Sequence, residues 1–187
     1  MIKFALFGIV VVWIGSEAWL SLARRTRRGA AASDRYSLLL IWIVNTSAIV
    51  LGVAAAYQFP SWDLPHSSQW FVPGMCVLAA GSALRWYAIR YLGSSFTTKV
   101  VISADQRLIE SGPYRCVRHP SYTGALLAVL GFALSTGNLA SVLIMVVPGV
   151  GVQLWRMHVE EQALLDAFGD QYRRYMHRTR RLIPWVY

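Results

Sequence analysis

The sequence predicts an all-α integral membrane protein with about five transmembrane helices. Hydrophobic residues make up 56% of the chain and charged residues only 14%, whereas soluble domains carry about 25% charged residues. The mean hydropathy is +0.42. The apolar residues are gathered into separate stretches. These cover residues 2–22, 38–57, 70–92, 121–136 and 139–155.

The first three stretches are long enough to cross a bilayer, because about 20 helical residues span a hydrocarbon core of about 30 Å. The stretch 2–22 contains Glu17 and is followed by arginines rather than by a cleavage site, so we interpret it as a membrane helix and not as a signal peptide. The last two stretches are shorter and are separated only by residues 136–138. This arrangement predicts a tight helical hairpin.

The net charge of +9 is concentrated in alternate loops. Arginines fill the loop after the first stretch, recur in residues 93–120 and are frequent beyond Trp155, whereas residues 58–69 contain Asp63 and no Lys or Arg. By the positive-inside rule, this alternation predicts an amino terminus outside and a carboxyl terminus in the cytoplasm. Topology therefore explains the basic excess, with some added attraction to anionic membrane lipid, and we expect no nucleic-acid partner.

Two functional parts follow from this layout. Residues 1–92 would supply three transmembrane helices and the access route for lipid or substrate. Residues 93–187 would form the catalytic part, with a cytoplasmic loop, the transmembrane hairpin and C-terminal cytoplasmic helices that together form the cofactor site. Arg85 and Arg90, near the cytoplasmic end of the third stretch, either extend to the headgroups or line a polar cavity.

The segment GPYRCVRHPSYTG, residues 112–124, is a polar stretch punctuated by glycine and proline, and it leads into an apolar stretch. Pro120 suits the first turn of a helix, where its missing N–H is not needed. Ser121 and Tyr122 would then offer free backbone N–H groups, and a helix amino terminus favours anions. Gly124 would let a ligand approach closely. A well-capped helix with no ligand is equally compatible with these residues.

A second motif, WRMHVEEQALLDAFGDQYRRY, continues the last apolar stretch out of the membrane as a helix. Arg156 and Glu160 are four residues apart and share a helix face. Gly169 is placed to end this helix, and Asp170 then begins another short helical segment. Cys76 and Cys116 are single and far apart, so neither a disulfide nor a metal site is predicted.

Together, the two motifs resemble the isoprenylcysteine carboxyl methyltransferases, which are integral membrane enzymes that use S-adenosylmethionine. The resemblance covers about residues 99–187, and the first three stretches match only as generic membrane helices. It implies that Arg156 faces the substrate carboxylate as the catalytic residue. The implied contacts to S-adenosylmethionine are Lys99, Gln106, Arg107, Leu108, Ile109, Tyr114, His119, Pro120, Ser121, Tyr122 and Glu160.

The chemistry is consistent with those roles. A carboxylate is already ionised at neutral pH, so its methylation needs positioning and desolvation rather than a general base, and an arginine can hold it bidentately. We therefore expect an S-adenosylmethionine-dependent carboxyl O-methyltransferase that releases S-adenosylhomocysteine. Its acceptor would be a lipophilic small molecule or a lipidated, isoprenylcysteine-like substrate that enters from the membrane.

Two alternatives remain at this stage. A membrane N-methyltransferase acting on a phospholipid or a small amine would need a base, for which Glu161 is the best candidate. A non-enzymatic scaffold or transporter would use its arginines as lipid anchors, and it would carry charges deep in several apolar stretches.

Overall fold

A computed structural model describes residues 32–93 and 108–184, together with Gly15 and Val186. The predicted first stretch, with Glu17, lies outside the described residues, and so do Lys99, Gln106 and Arg107. The described helices are α1 (Ala32–Gln58), α2 (Phe71–Leu92), α3 (Pro120–Ser135), α4 (Leu139–Phe168) and α5 (Asp170–Arg178). Short 3-10 turns cover Pro60–Trp62, Ser67–Trp70 and Gly112–Arg115.

Three segments of the described chain are long and apolar enough to cross a membrane. They are Leu39–Gln58, Ser67–Leu92 and Leu139–Phe168, and Pro120–Ser135 is a shorter apolar helix. Their bounds lie close to those of the predicted stretches. The all-helical architecture is thus confirmed for these residues, while a total of five transmembrane helices stays a prediction because the first stretch is not described.

Glycines bring α2 and α3 into direct backbone contact. A Cβ added to Gly81 would lie 2.6 Å from the carbonyl oxygen of Gly124, and one added to Gly124 would lie 2.6 Å from that of Gly81. Gly74 and Gly131 form the same reciprocal contact two turns away. Small residues allow such close helix approach inside a membrane. The expectation that Gly124 makes room for a ligand is therefore wrong, because the space beside it is filled by α2.

The helices α1 to α4 enclose one apolar core, to which each contributes. Its buried members include Ile49 from α1, Leu78 from α2, Phe132 from α3 and Met145 from α4. The hydroxyl of Ser141, also on α4, donates a hydrogen bond to the carbonyl oxygen of Gly52 on α1. Burial of these side chains and the hydrogen bond from Ser141 to the backbone of α1 hold the bundle together.

One end of the bundle, here called the turn end, is organised by Asn138. Its side-chain oxygen accepts a hydrogen bond from the N–H of Ser141 at 3.1 Å and so caps α4. Its amide nitrogen donates to the carbonyl oxygen of Phe59 at 2.9 Å and to Asp63 at 2.8 Å. The predicted hairpin between α3 and α4 is confirmed, and its turn meets the loop that follows α1.

The opposite end, here called the tail end, joins the loop before α3 to the chain that follows α5. The N–H groups of Arg118 and His119 donate to the carbonyl oxygens of Arg180 and Arg181 at 2.7 and 3.0 Å. The predicted stop at Gly169 is confirmed, because its φ is 50° and its N–H bonds to the carbonyl oxygen of Leu165 at the end of α4. The first polar motif therefore lies at this end of the bundle, as does the end of α4 that carries the second motif.

Candidate functional site

The amino terminus of α3 lies at the tail end and begins at Pro120, as predicted. The N–H groups of Tyr122 and Thr123 both bond to the carbonyl oxygen of His119 at 3.0 Å. The N–H of Tyr122 is therefore not free for an anion, which corrects that part of the sequence interpretation. The carbonyl oxygen of the buried Ser121 accepts a hydrogen bond from Arg85 at 3.2 Å. Arg85 thus contacts the start of α3.

Tyr122 and Glu160 connect the two sequence motifs. The Tyr122 hydroxyl donates a hydrogen bond of 2.9 Å to the Glu160 carboxylate, and both residues are half-buried. A half-buried carboxylate that is oriented by a tyrosine can accept a cationic ligand without being fully desolvated. This contact joins the start of α3 to α4 and brings together two residues that the resemblance assigned to the cofactor.

The neighbouring glutamate, Glu161, has a different environment. Its side chain is only 2% exposed, and one carboxylate oxygen contacts Arg118 Nε at 3.0 Å and His119 Nε2 at 3.2 Å. The other oxygen accepts from Arg181 Nε at 3.0 Å and Nη2 at 2.7 Å. A buried carboxylate is tolerated when its partners satisfy it in this way. Because both oxygens are engaged, Glu161 is not available as the base that an amine acceptor would require.

Buried tyrosines lie near this cluster. The Tyr175 hydroxyl donates to the carbonyl oxygen of Tyr114 at 2.7 Å, and the Tyr114 hydroxyl donates to that of Ala88 at 3.3 Å. The Tyr172 hydroxyl is buried and has no hydrogen-bond partner among the described residues. Burial raises the pKa of Tyr172 well above its ordinary value, and the nearby Glu161 carboxylate raises it further. Burial likewise raises the pKa of Tyr114 and of Tyr175, so these phenols stay protonated at neutral pH.

Arg156 lies on α4 one turn before Glu160 and is only 3% exposed. Its guanidinium is therefore shielded from solvent within the bundle. Leu108 and Ile109 are half-buried and precede the 3-10 turn at Gly112–Arg115. Within residues 32–93 and 108–184, no group of His, Cys, Asp or Glu side chains could hold a metal ion.

Sequence reasoning missed two partners in the site. Arg118 lies directly before His119 in the quoted motif, and this adjacency was the available signal for its role. Arg181 had no comparable signal, because its contact to Glu161 depends on the return of the chain after α5.

Comparison with known proteins identifies the family. A family model described as phospholipid methyltransferase matches residues 70–171, which is more than half of the chain. The chain belongs to this family. The match includes α2, α3, α4 and the first residues of α5, and thereby the first motif and residues 155–171 of the second.

The names of individual relatives are more specific than the description of the family. A probable protein-S-isoprenylcysteine O-methyltransferase of Oryza sativa subsp. indica is 28% identical over 95% of this chain and 93% of its own length. A protein-S-isoprenylcysteine O-methyltransferase of Tribolium castaneum is 32% identical over 76% of this chain and 57% of its own. The resemblance stated from the sequence, and the methyltransferase class with it, are confirmed.

A solved structure supports the same fold. It is that of a eukaryotic intramembrane Ras methyltransferase, an isoprenylcysteine carboxyl methyltransferase, and it superposes with a TM-score of 0.62 at 28% identity. The match covers 83% of this chain and 54% of the other, so this chain spans about half the length of that protein. With the apolar helices described above, this neighbour identifies an integral membrane protein.

Proposed function

We propose that this methyltransferase moves a methyl group from S-adenosylmethionine to the carboxylate of a lipophilic, isoprenylcysteine-like substrate. The observation that carries the proposal is the juxtaposition at the tail end of the bundle. There, the Tyr122–Glu160 pair lies one helical turn from the buried Arg156. One side of this arrangement suits a cationic donor, and the other suits an anionic acceptor.

The described residues fit S-adenosylmethionine, which would supply an electrophilic methyl group on a sulfonium. The Glu160 carboxylate, held by Tyr122 at 2.9 Å, suits the positive charges of that molecule. Ser121 and Pro120 form the adjoining helix start, and the unpartnered Tyr172 hydroxyl is a further polar atom in the same part of the bundle. Leu108 and Ile109 would contribute apolar contacts.

His119 and Tyr114 would act indirectly. His119 is buried against Glu161, and Tyr114 bridges α2 and α5 through its two hydrogen bonds. We therefore assign both residues to shaping the cofactor site. The contacts of Lys99, Gln106 and Arg107 stay predictions from the family resemblance.

Arg156 would hold the acceptor carboxylate. Its planar fork can bind both carboxylate oxygens, and burial strengthens the contact by excluding water. Such binding would hold the acceptor carboxylate in one orientation and lower the entropic part of the barrier. No proton has to leave a carboxylate during methyl transfer, which agrees with the engagement of both Glu161 oxygens by cationic side chains.

The membrane orientation completes the proposal. The tail end, with the carboxyl terminus and the cofactor site, would face the cytoplasm, where S-adenosylmethionine is available, and the amino terminus would lie outside. A lipid-borne or lipidated acceptor would reach Arg156 from the bilayer through the part formed by residues 1–92. This arrangement keeps the water-soluble donor and the lipophilic acceptor on separate routes.

The test compares two acceptors with purified protein in detergent or nanodiscs. Transfer of a labelled methyl group to N-acetyl-S-farnesylcysteine is expected, and transfer to phosphatidylethanolamine is not. Methylation of the amine alone would contradict the proposal, and calorimetric absence of S-adenosylmethionine binding would favour a scaffold.

The Arg156 variants refine the same test. We expect Arg156→Ala to lower turnover by about two to three decades, since losing one charged contact to the reacting group commonly costs a few kcal/mol. Cofactor affinity should stay within a few fold. Arg156→Lys should rescue activity only partly, because an ammonium lacks the planar fork. Full activity of Arg156→Ala on the carboxylate acceptor would exclude this role.

A further inference from the structure

Gln153 is a buried polar residue that the proposed mechanism has not used. It lies on α4 in the final part of the apolar stretch 139–155 and is only 5% exposed. Its side-chain oxygen Oε1 is buried and has no hydrogen-bond partner within the described part of the chain. If the side-chain amide of Gln153 were rotated by 180°, its nitrogen would take the place of Oε1, and a polar atom would still be buried there.

Such an atom lowers stability. Leaving a buried acceptor unsatisfied costs about 1–3 kcal/mol, and the great majority of buried polar side-chain atoms have partners. The cost is expected to matter here, because the surrounding stretch is apolar and offers little water. An orphaned acceptor beside a binding site is therefore accounted for if a ligand supplies the missing donor.

The position of Gln153 on α4 indicates which ligand that is. It precedes Arg156 by three residues, or about 4.5 Å along the helix axis, and it precedes Glu160 by seven residues, or about two turns. All three thus share one broad face of α4. Along α4, Gln153 lies within the apolar stretch 139–155, whereas Glu160 lies nearer the tail end. In the proposed orientation, an acceptor that enters from the bilayer would therefore lie closer to Gln153 than the cofactor would.

We propose that Gln153 is a specificity-determining residue that accepts a hydrogen bond from an N–H group on the carbon bearing the acceptor carboxylate. This inference rests on the proposed carboxylate function. In an acylated amino acid, the amide N–H and the carboxylate are attached to the same carbon, so both groups fit within the one-turn separation of Gln153 and Arg156. The enzyme would then prefer N-acylated, S-alkylated amino acids over simple lipophilic acids.

The experiment uses two acids that differ in a single group. N-acetyl-S-farnesylcysteine carries the acetamido N–H, and S-farnesyl-3-thiopropionic acid has hydrogen in place of the acetamido group. Binding of each acid is measured by calorimetry on the full chain in the presence of S-adenosylhomocysteine, which prevents turnover. The variants are Gln153→Met, which keeps the length of the side chain without a strong acceptor, and Ser82→Ala as a matched control. Ser82 also has a buried hydroxyl oxygen with no partner among the described residues, and it lies on α2.

For Gln153→Met we expect the Kd of the acetamido acid to rise about 3- to 10-fold, the range for one hydrogen bond. The Kd of the thiopropionic acid should change less than about 2-fold, and Ser82→Ala should preserve the preference of the wild type. Unchanged binding of both acids to Gln153→Met overturns the proposal. Equal weakening of both acids with a lower melting midpoint also overturns it, because that result indicates helix packing.

The turnover assay separates this inference from the function on which it rests. If the wild-type protein binds both acids but methylates neither, the carboxyl methyltransferase function fails, while the binding preference still decides the role of Gln153. If the wild type methylates both and shows no preference in binding, the proposed function stands and the role of Gln153 is refuted.

Discussion

The two adjacent glutamates of α4, Glu160 and Glu161, should show different effects when each is replaced by glutamine. Glu161→Gln removes the charge of a carboxylate that is only 2% exposed and that contacts Arg118, His119 and Arg181. Glu160→Gln makes the same chemical change one residue earlier, at a half-buried side chain that contacts Tyr122. We expect the first variant to lose stability and the second to lose cofactor affinity.

The size of the first effect follows from the exposure of the partners. The Arg118 side chain is 9% exposed and cannot recover full hydration, whereas that of Arg181 is 29% exposed and can recover part of it. Breaking a buried ion pair from one side costs about 3–5 kcal/mol, and the partly exposed Arg181 favours the lower limit. At about 2–4 °C per kcal/mol for a chain of this size, Glu161→Gln should lower the melting midpoint by roughly 6–12 °C.

The assay combines melting in detergent with limited trypsin digestion. Arg118 and His119 also pair through their N–H groups with the carbonyl oxygens of Arg180 and Arg181, so loss of the Glu161 contacts should loosen the chain after α5. Cleavage at Arg180 and Arg181 should therefore become faster in Glu161→Gln. Glu160→Gln should melt within about 2 °C of the wild type and bind S-adenosylmethionine at least tenfold more weakly, as expected for loss of one charge-assisted contact.

The reverse pattern would refute this reasoning. If Glu161→Gln melts like the wild type and resists trypsin equally, the buried cluster does not hold the tail end together. If Glu160→Gln binds the cofactor normally, the Tyr122–Glu160 pair is not part of the cofactor site.

Two further predictions concern the bundle. A reporter fused after Arg28 or Tyr187 should read as cytoplasmic and one near Asp63 as external, since the arginine-rich loops are expected inside; an external reading after Arg28 would invert the proposed orientation. Gly124→Ala should lower the melting midpoint strongly, because its Cβ would lie 2.5 Å from the backbone nitrogen of Arg85. Gly151→Ala is the control, because nothing lies within 4 Å of its Cβ; equal melting of the two variants would disprove the close contact of α2 and α3.

Local signals in the sequence were sufficient to predict the helices. The apolar stretches predicted α1 to α4 closely because the length of an apolar run and its flanking residues act within one element. Pro120 and Gly169 marked a helix start and a helix stop, since the first lacks an N–H and the second adopts a positive φ. The placement of the two polar motifs at one end of the bundle also followed from the sequence, through the alternation of charge along the chain.

The tertiary structure alone decided which side chains meet. Glu160 and Glu161 are adjacent and chemically identical, but successive helical residues point about 100° apart, so one contacts Tyr122 and the other enters a buried ionic cluster. No local pattern reveals which direction faces which neighbour. Gly124 was misinterpreted for the same reason, because its partner on α2 is remote in sequence, and Arg181 reaches Glu161 only because the chain returns beside the start of α3. Such contacts depend on how separate elements pack, and this information is not contained in any single segment of the chain.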